Sequence, residues 1–159
     1  VMTVGGVTFK RYLEIAQTLN KETAVVTDND GNIEAVKKKY KEYEEIQCIH
    51  ICVDEVVDTG DLKLSGKDFN YNTLEPKILK ENGREAMNNI FGTNYDTDDE
   101  MHKYMHAHKT DCAIAIFESA TKIKYPEYIM RAIKNEQSNY CSGRGRKNNI
   151  SCKEGIGDF

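Results

Sequence analysis

Two apolar runs rich in β-branched residues, TAVVT at 23–27 and QCIHICV at 47–53, frame a segment patterned as a helix. Both runs have strand length, and what lies between them is too long and too amphipathic for a hairpin loop. Strands joined through a helix run parallel, with a right-handed crossover. Asn32 can cap the intervening helix, which the spacing predicts over 33–45. Val36, Tyr40 and Tyr43 share one face of it, above a lysine-rich surface. Upstream, the short run VMTV at 1–4 closes on Gly5-Gly6. Thr8 can then cap a helix over 9–19 whose apolar side carries Phe9, Tyr12, Leu13, Ala16 and Leu19. The order β-α-β-α-β makes the expected class α/β, with a parallel sheet flanked by helices.

Beyond Asp54 the alternation gives way to a loop containing Gly60 and Gly66. Helices then dominate: TLEPKILKEN closed by Gly83, REAMNNIF closed by Gly92, a stretch opened by the capping box Thr97–Glu100, and a last helix from Pro126 to about Asn135. Residues 138–159 lack periodicity and are rich in Gly, Asn, Lys and Arg. The division is therefore a domain over 1–137 and an irregular, poorly ordered tail over 138–159. No apolar run approaches a membrane span. Five irregularly spaced cysteines suit a reducing compartment, so the expected location is the cytoplasm, with no membrane partner. A net charge of −4 argues against a stand-alone duplex-binding module but leaves room for an enzyme whose cations neutralise phosphate locally.

The first strand ends in Asp28-Asn29-Asp30-Gly31. Ligands of open parallel sheets bind beyond the carboxyl ends of the strands. Residues two apart on an extended backbone point the same way, so both carboxylates can face one point, where like charges call for a divalent cation. Oxygen donors suit magnesium or manganese. An EF-hand loop fails, because Ile33 and Lys39 stand where Gly and Glu are needed. A haloacid-dehalogenase-like phosphatase motif is incomplete, with Asn32 in its fifth position. The plain alternative is an Asx-turn linking strand to helix.

Three segments resemble the topoisomerase-primase (TOPRIM) domain of the OLD (overcoming lysogenization defect) family of ATP-dependent endonucleases, nearest to the nuclease subunits of Gabija antiphage systems. They are VGGVTFKRYLEIAQTLNKETAVVTDND, NTLEPKILKEN at 72–82, and HKTDCAIAIFES at 108–119, the last followed by YPEYIMRAI at 125–133. The resemblance implies a Rossmann-like fold and two-metal, magnesium- or manganese-dependent cleavage of DNA. It gives Asp28 and Asp30 as metal ligands, Glu75 as the acid that helps hold a second metal, and Lys109 as the catalytic cation at the phosphate. The family pattern opens with a strand carrying Glu-Gly and a helix, preceded by an ATPase, whereas this chain matches from the second strand on. It is therefore expected to be a piece of a larger nuclease, weak or inactive alone, whose other partners are the missing ATPase and further copies paired through an open sheet edge. A non-catalytic assembly piece is the alternative.

Other groups have plainer readings. Cys48, His50 and Cys52 alternate along one strand and suit a packed sheet face. His102, His106, His108 and Cys112 lack the Glu or cysteine pair of familiar zinc motifs. Lys37, Lys38, Lys39 and Lys41 read as a solvated face.

Overall fold

The computed structural model describes residues 9–142, with side-chain surroundings as far as Lys134. The chain is mixed α/β. Helix α1 (Phe9–Thr18) leads to β1 (Thr23–Thr27) and then to α2 (Ile33–Tyr40). One 3₁₀ turn (Lys41–Tyr43) and β2 (Ile49–Val53) follow. Strands β1 and β2 pair in parallel, Thr23 opposite Ile49 through to Thr27 opposite Val53, and Asp54 N–H extends the ladder to Thr27 O at 3.1 Å. Asp28 and Asp54 therefore leave the same sheet edge side by side. The crossover helix starts where its cap predicts, with Asn32 Oδ1 accepting from Ala35 N–H at 3.0 Å. It tightens to 3₁₀ at Lys41, and the turn keeps Tyr43 buried beside Tyr40.

Leu13 of α1, Tyr40, Tyr43, Cys48 and Ile49 form one apolar cluster, joined by Phe9, Val25, Val36 and Ile51. Alternation along the strands puts Val25, Ile49 and Ile51 on this side. Tyr12 and Leu19, expected to face the core, are 40% and 61% exposed. Among the described residues the parallel sheet is only two strands wide, which gives α1 a narrow footing that Leu13 and Ala16 fill. The run at 1–4, expected as a third parallel strand, lies outside the described residues.

The segment expected as loop after Asp54 contains a small antiparallel hairpin, β3 (Lys63–Leu64) and β4 (Lys67–Asp68). Ser65 and Gly66 both have positive φ, 54° and 79°, the backbone of a type I′ turn. Helix α3 (Leu74–Phe91) carries a break at Gly83, where φ is 76° and ψ is 156°. Only glycine reaches that conformation cheaply, so the two expected helices follow end to end with a kink between them. Helix α4 (Asp98–Ala107) has the expected capping box, and α5 (Lys109–Glu118) follows at once. Ile78, Leu79, Met87, Met101, Met105 and Cys112 close a second core between these helices. Helix α6 (Glu127–Ser142) packs against both parallel strands and runs five residues into the segment read as irregular. The rest of that tail lies outside the described residues. None of the described helices is long and apolar enough to cross a membrane.

Asn29 holds the two strand ends together. It is fully buried, and its Nδ2 donates to Asp54 O at 3.1 Å and to Val56 O at 2.8 Å, while its Oδ1 accepts from Gly31 N–H at 2.7 Å. Replacing it with alanine would remove all three bonds and leave the buried Asp54 carbonyl without this donor. At about 1 kcal/mol for each lost bond, Asn29→Ala is expected to destabilise the protein by about 3 kcal/mol, measured by chemical denaturation.

Candidate functional site

The Asx-turn weighed for the Asp28–Gly31 segment is present, but Asn29 makes it, through Gly31 N–H. The backbone is not extended across the pair. Strand β1 ends at Thr27, and Asp30 sits in the left-handed region with φ 49°, so alternation is not what relates the two carboxylates. Asp28 is half-buried and Asp30 exposed.

Asp28 points toward helices contributed by later parts of the chain. Its Oδ1 accepts from the buried Tyr128 hydroxyl of α6 at 2.6 Å, and the Leu74 N–H at the start of α3 also favours its charged form. Thr73, the N-cap residue of α3, makes no side-chain capping bond, and the helix end lies near Asp28. Even so, the Asp28 carboxyl is held above its ordinary range. Burial is the main cause, Tyr128 opposes it, and the charges of Asp30 and Glu75 add to it. These favourable contributions do not offset the desolvation and like-charge repulsion at this point.

Glu75 stands in the first turn of α3, where the helix dipole favours a carboxylate. Its Oε1 pairs with Lys109 Nζ at 2.6 Å. Burial would raise the Glu75 carboxyl, but Lys109 overrides it and holds the group below its usual range. Lys109 opens α5, where a cation opposes the dipole, so the ion pair compensates both residues. The structure thus brings Glu75 and Lys109 into contact and sets Asp28 within reach of the charges of Glu75 and Asp30.

A second charged group adjoins this one. Asp54, at the end of β2, is buried against Lys77 of α3, itself only 4% exposed. Lys77 also reaches Asp58 at 3.4 Å and donates to Val56 O at 2.7 Å. Burial alone would raise the Asp58 carboxyl, yet Lys80 and Lys77 hold it below its ordinary value. A cleft of about 290 Å³ opens here, lined by Asp54, Val56, Lys77, Pro126, Tyr128 and Arg131. Arg131 ties α6 to the sheet by donating to Val53 O at 2.5 Å. Sequence reasoning missed Asp54, Lys77, Tyr128 and Arg131. For Asp54 the signal was the same as for Asp28, an acid directly after an apolar strand.

Among the described residues, no three His, Cys, Asp or Glu side chains are grouped so as to hold a metal ion as they stand. His102 is fully buried with its ring against Phe69 at 4.3 Å, and burial lowers its pKa, keeping it neutral. Burial pushes the Cys112 thiol up to about 11. His50 pairs with Glu22 at 2.9 Å, while Cys48 and Cys52 are buried. Asp28, Asp30 and Glu75 offer the oxygen donors a hard divalent cation takes, but Glu75 is engaged by Lys109 and the three are not gathered around one point. No protein-family model matches the chain, and no match to it was found among curated proteins or solved structures.

The raised Asp28 pKa has a sign. An acid whose folded pKa lies above its unfolded value costs stability when ionised. That cost is complete above the folded pKa and vanishes as pH falls through the ordinary value. Asp28→Asn is therefore expected to stabilise the protein at pH 7, by about 0.5–2 kcal/mol, with the gain disappearing below about pH 4. Thermal unfolding across pH 3–8 measures it. Lys77→Met acts oppositely, leaving Asp54 buried without its cation, and should destabilise by about 3–5 kcal/mol in the same melts.

Proposed function

We propose that this chain is part of a TOPRIM-like, metal-dependent DNA endonuclease that hydrolyses phosphodiester bonds at the carboxyl edge of its parallel strands. One observation carries this reading. Just after β1, the half-buried Asp28 carboxylate lies in the repulsive field of Asp30 and Glu75, which its bond from Tyr128 does not offset, and Glu75 in turn pairs with Lys109. Magnesium or manganese would be held by Asp28, Asp30 and Glu75. When bound, such an ion polarises the phosphate and lowers the pKa of its water. Lys109 is 56% exposed at its side chain, so it can reach a phosphate as well as Glu75, and would place positive charge where the transition state gathers negative charge. Asp28 is held by the Tyr128 hydroxyl of α6, which favours a fixed side-chain geometry. The fuller reading, an OLD-like parent with an ATPase and a role in antiphage defence in the cytoplasm, rests on the sequence resemblance alone.

A second reading, a chain that works by assembling with others, draws on exposed apolar side chains. Ile15 and Leu19 on α1 are 56% and 61% exposed, and Ile114 and Phe117 on α5 are 50% and 82% exposed. Both readings are open to one set of measurements. Plasmid nicking with magnesium and with manganese, by this chain and by any longer form that contains it, is expected to require Asp28. Asp28→Ala should abolish it, and Lys109→Ala should lower the rate by about 10²–10³. Undiminished cleavage by Asp28→Ala removes the metal site from this position. Absence of cleavage together with concentration-dependent association in sedimentation favours the assembly reading.

A further inference from the structure

Two histidines of α4 close on one phenyl ring from the β3–β4 hairpin. His102 is fully buried, and among the described residues neither of its ring nitrogens has a hydrogen-bond partner. His106 follows one turn later, and its Nδ1 is likewise buried without a partner. Both rings stand edge-on to Phe69, with centroids 4.3 Å and 5.4 Å from it, and lie 6.3 Å from each other. We infer that the pair is an acid-sensitive clasp. Neutral, it seats the hairpin on α4 through Phe69; protonated, it releases the hairpin and the segment that follows it. The clasp operates whether or not the sheet edge holds a metal.

The hairpin depends on such a seat. Its strands have two residues each, too few to persist alone. Besides Phe69, it is tied down by the buried Leu62 and by Lys63 N–H, which donates to Asp99 Oδ1 at 2.6 Å near the start of α4. A neutral ring suits this dry packing. An imidazolium at His102 would lose its water and gain no acceptor. Of the groups that face His102, Glu75 of α3, Asp99 of α4 and the Lys63 backbone of β3 favour the cation, while His106 opposes it. Glu75 is paired with Lys109, and Lys63 Nζ with Asp68. Phe69 can attract one cation weakly, but not two. Burial outweighs the favourable contributions, so the His102 pKa in the closed form lies below the ordinary 6.5. The seating is therefore complete above that value and weakens as pH falls through it, because the open form takes up the proton first. Release reaches the sheet edge. Asn70 Nδ2 donates to Asp30 O at 2.9 Å, and Asn72 accepts from Asp58 N–H at 2.6 Å and donates to Asp58 O at 3.0 Å.

Hydrogen exchange followed by mass spectrometry tests the clasp on the full chain, compared one pH unit above and one below the ordinary histidine value of 6.5 and corrected for intrinsic exchange. In wild type the opening of residues 61–72 should grow about tenfold on acidification, the effect of one proton over one pH unit. Residues 28–32 should follow, with β2 unchanged. His102→Phe should remove the response, and His108→Gln, at an exposed ring, should keep it. Nuclear magnetic resonance of the wild-type rings covers the case in which His102→Phe fails to fold: His102 should titrate below 6.5, in step with release of the hairpin. A response undiminished in His102→Phe, no response in wild type, or equal opening of β2 overturns the clasp. A His102 ring that titrates at or above 6.5 also overturns it. Release of 61–72 with 28–32 unmoved overturns its reach to the sheet edge.

Discussion

The arrangement at the sheet edge depends on one buried amide. Two parallel strands of five residues offer few backbone bonds, and their carboxyl ends would separate without a tie. Asn29 supplies it by bonding to Asp54 O and Val56 O while turning its own chain through Gly31 N–H. Those three bonds use the side chain's capacity almost fully. Because Asn29 makes the turn, neither flanking aspartate has to. Asp28 is then available to α3 and α6, and Asp30 is left at the surface in a left-handed conformation.

Charge is arranged around that edge in two different ways. Asp54 is buried with Lys77, a lysine whose remaining donors are taken by Asp58 and Val56 O. Such a pair contributes little net stability compared with an apolar packing, but breaking it is costly, and it fixes how α3 meets the strands. Among the described residues Asp28 has no buried cation of this kind. Its neighbours are the Tyr128 hydroxyl and two further acids, and Lys109 is paired with Glu75. The uncompensated charge sits at the place where parallel sheets bind ligands, which is why this edge, and not the lysine-rich face of α2, is the better candidate for chemistry. On α2, Lys39 lies over the Phe9 ring at 4.5 Å, a packing role.

Much of the fold was legible in local pattern, and the exceptions have physical causes. The strand at 23–27, the Asn32 cap, the break at Gly83 and the Thr97–Glu100 capping box follow from residues acting on their immediate neighbours. The hairpin at 63–68 was not legible, because two-residue strands carry no alternation, and only Ser65-Gly66 marked the turn. The face of α1 was overestimated because a helix buries only what the sheet beneath it can cover, and Tyr12 and Leu19 overhang. At the site, Asp28 and Asp30 were visible as acids after a strand. The argument for their convergence assumed an extended backbone that Asp30, at positive φ, does not have.

By itself, the sequence determined the mixed α/β class, the parallel sense of β1 and β2, and the presence of acids at the carboxyl edge. These are consequences of periodicity, crossover length and short-range capping, all of which act within a few residues. Only the tertiary structure decided which partners those acids acquired. Tyr128 reaches Asp28 across one hundred residues, Lys109 reaches Glu75 across the join of α3 and α5, and Lys77 settles between Asp54 and Asp58. Contacts of that kind depend on how helices pack on a sheet, and the desolvation that makes them strong exists only once the chain has closed over them.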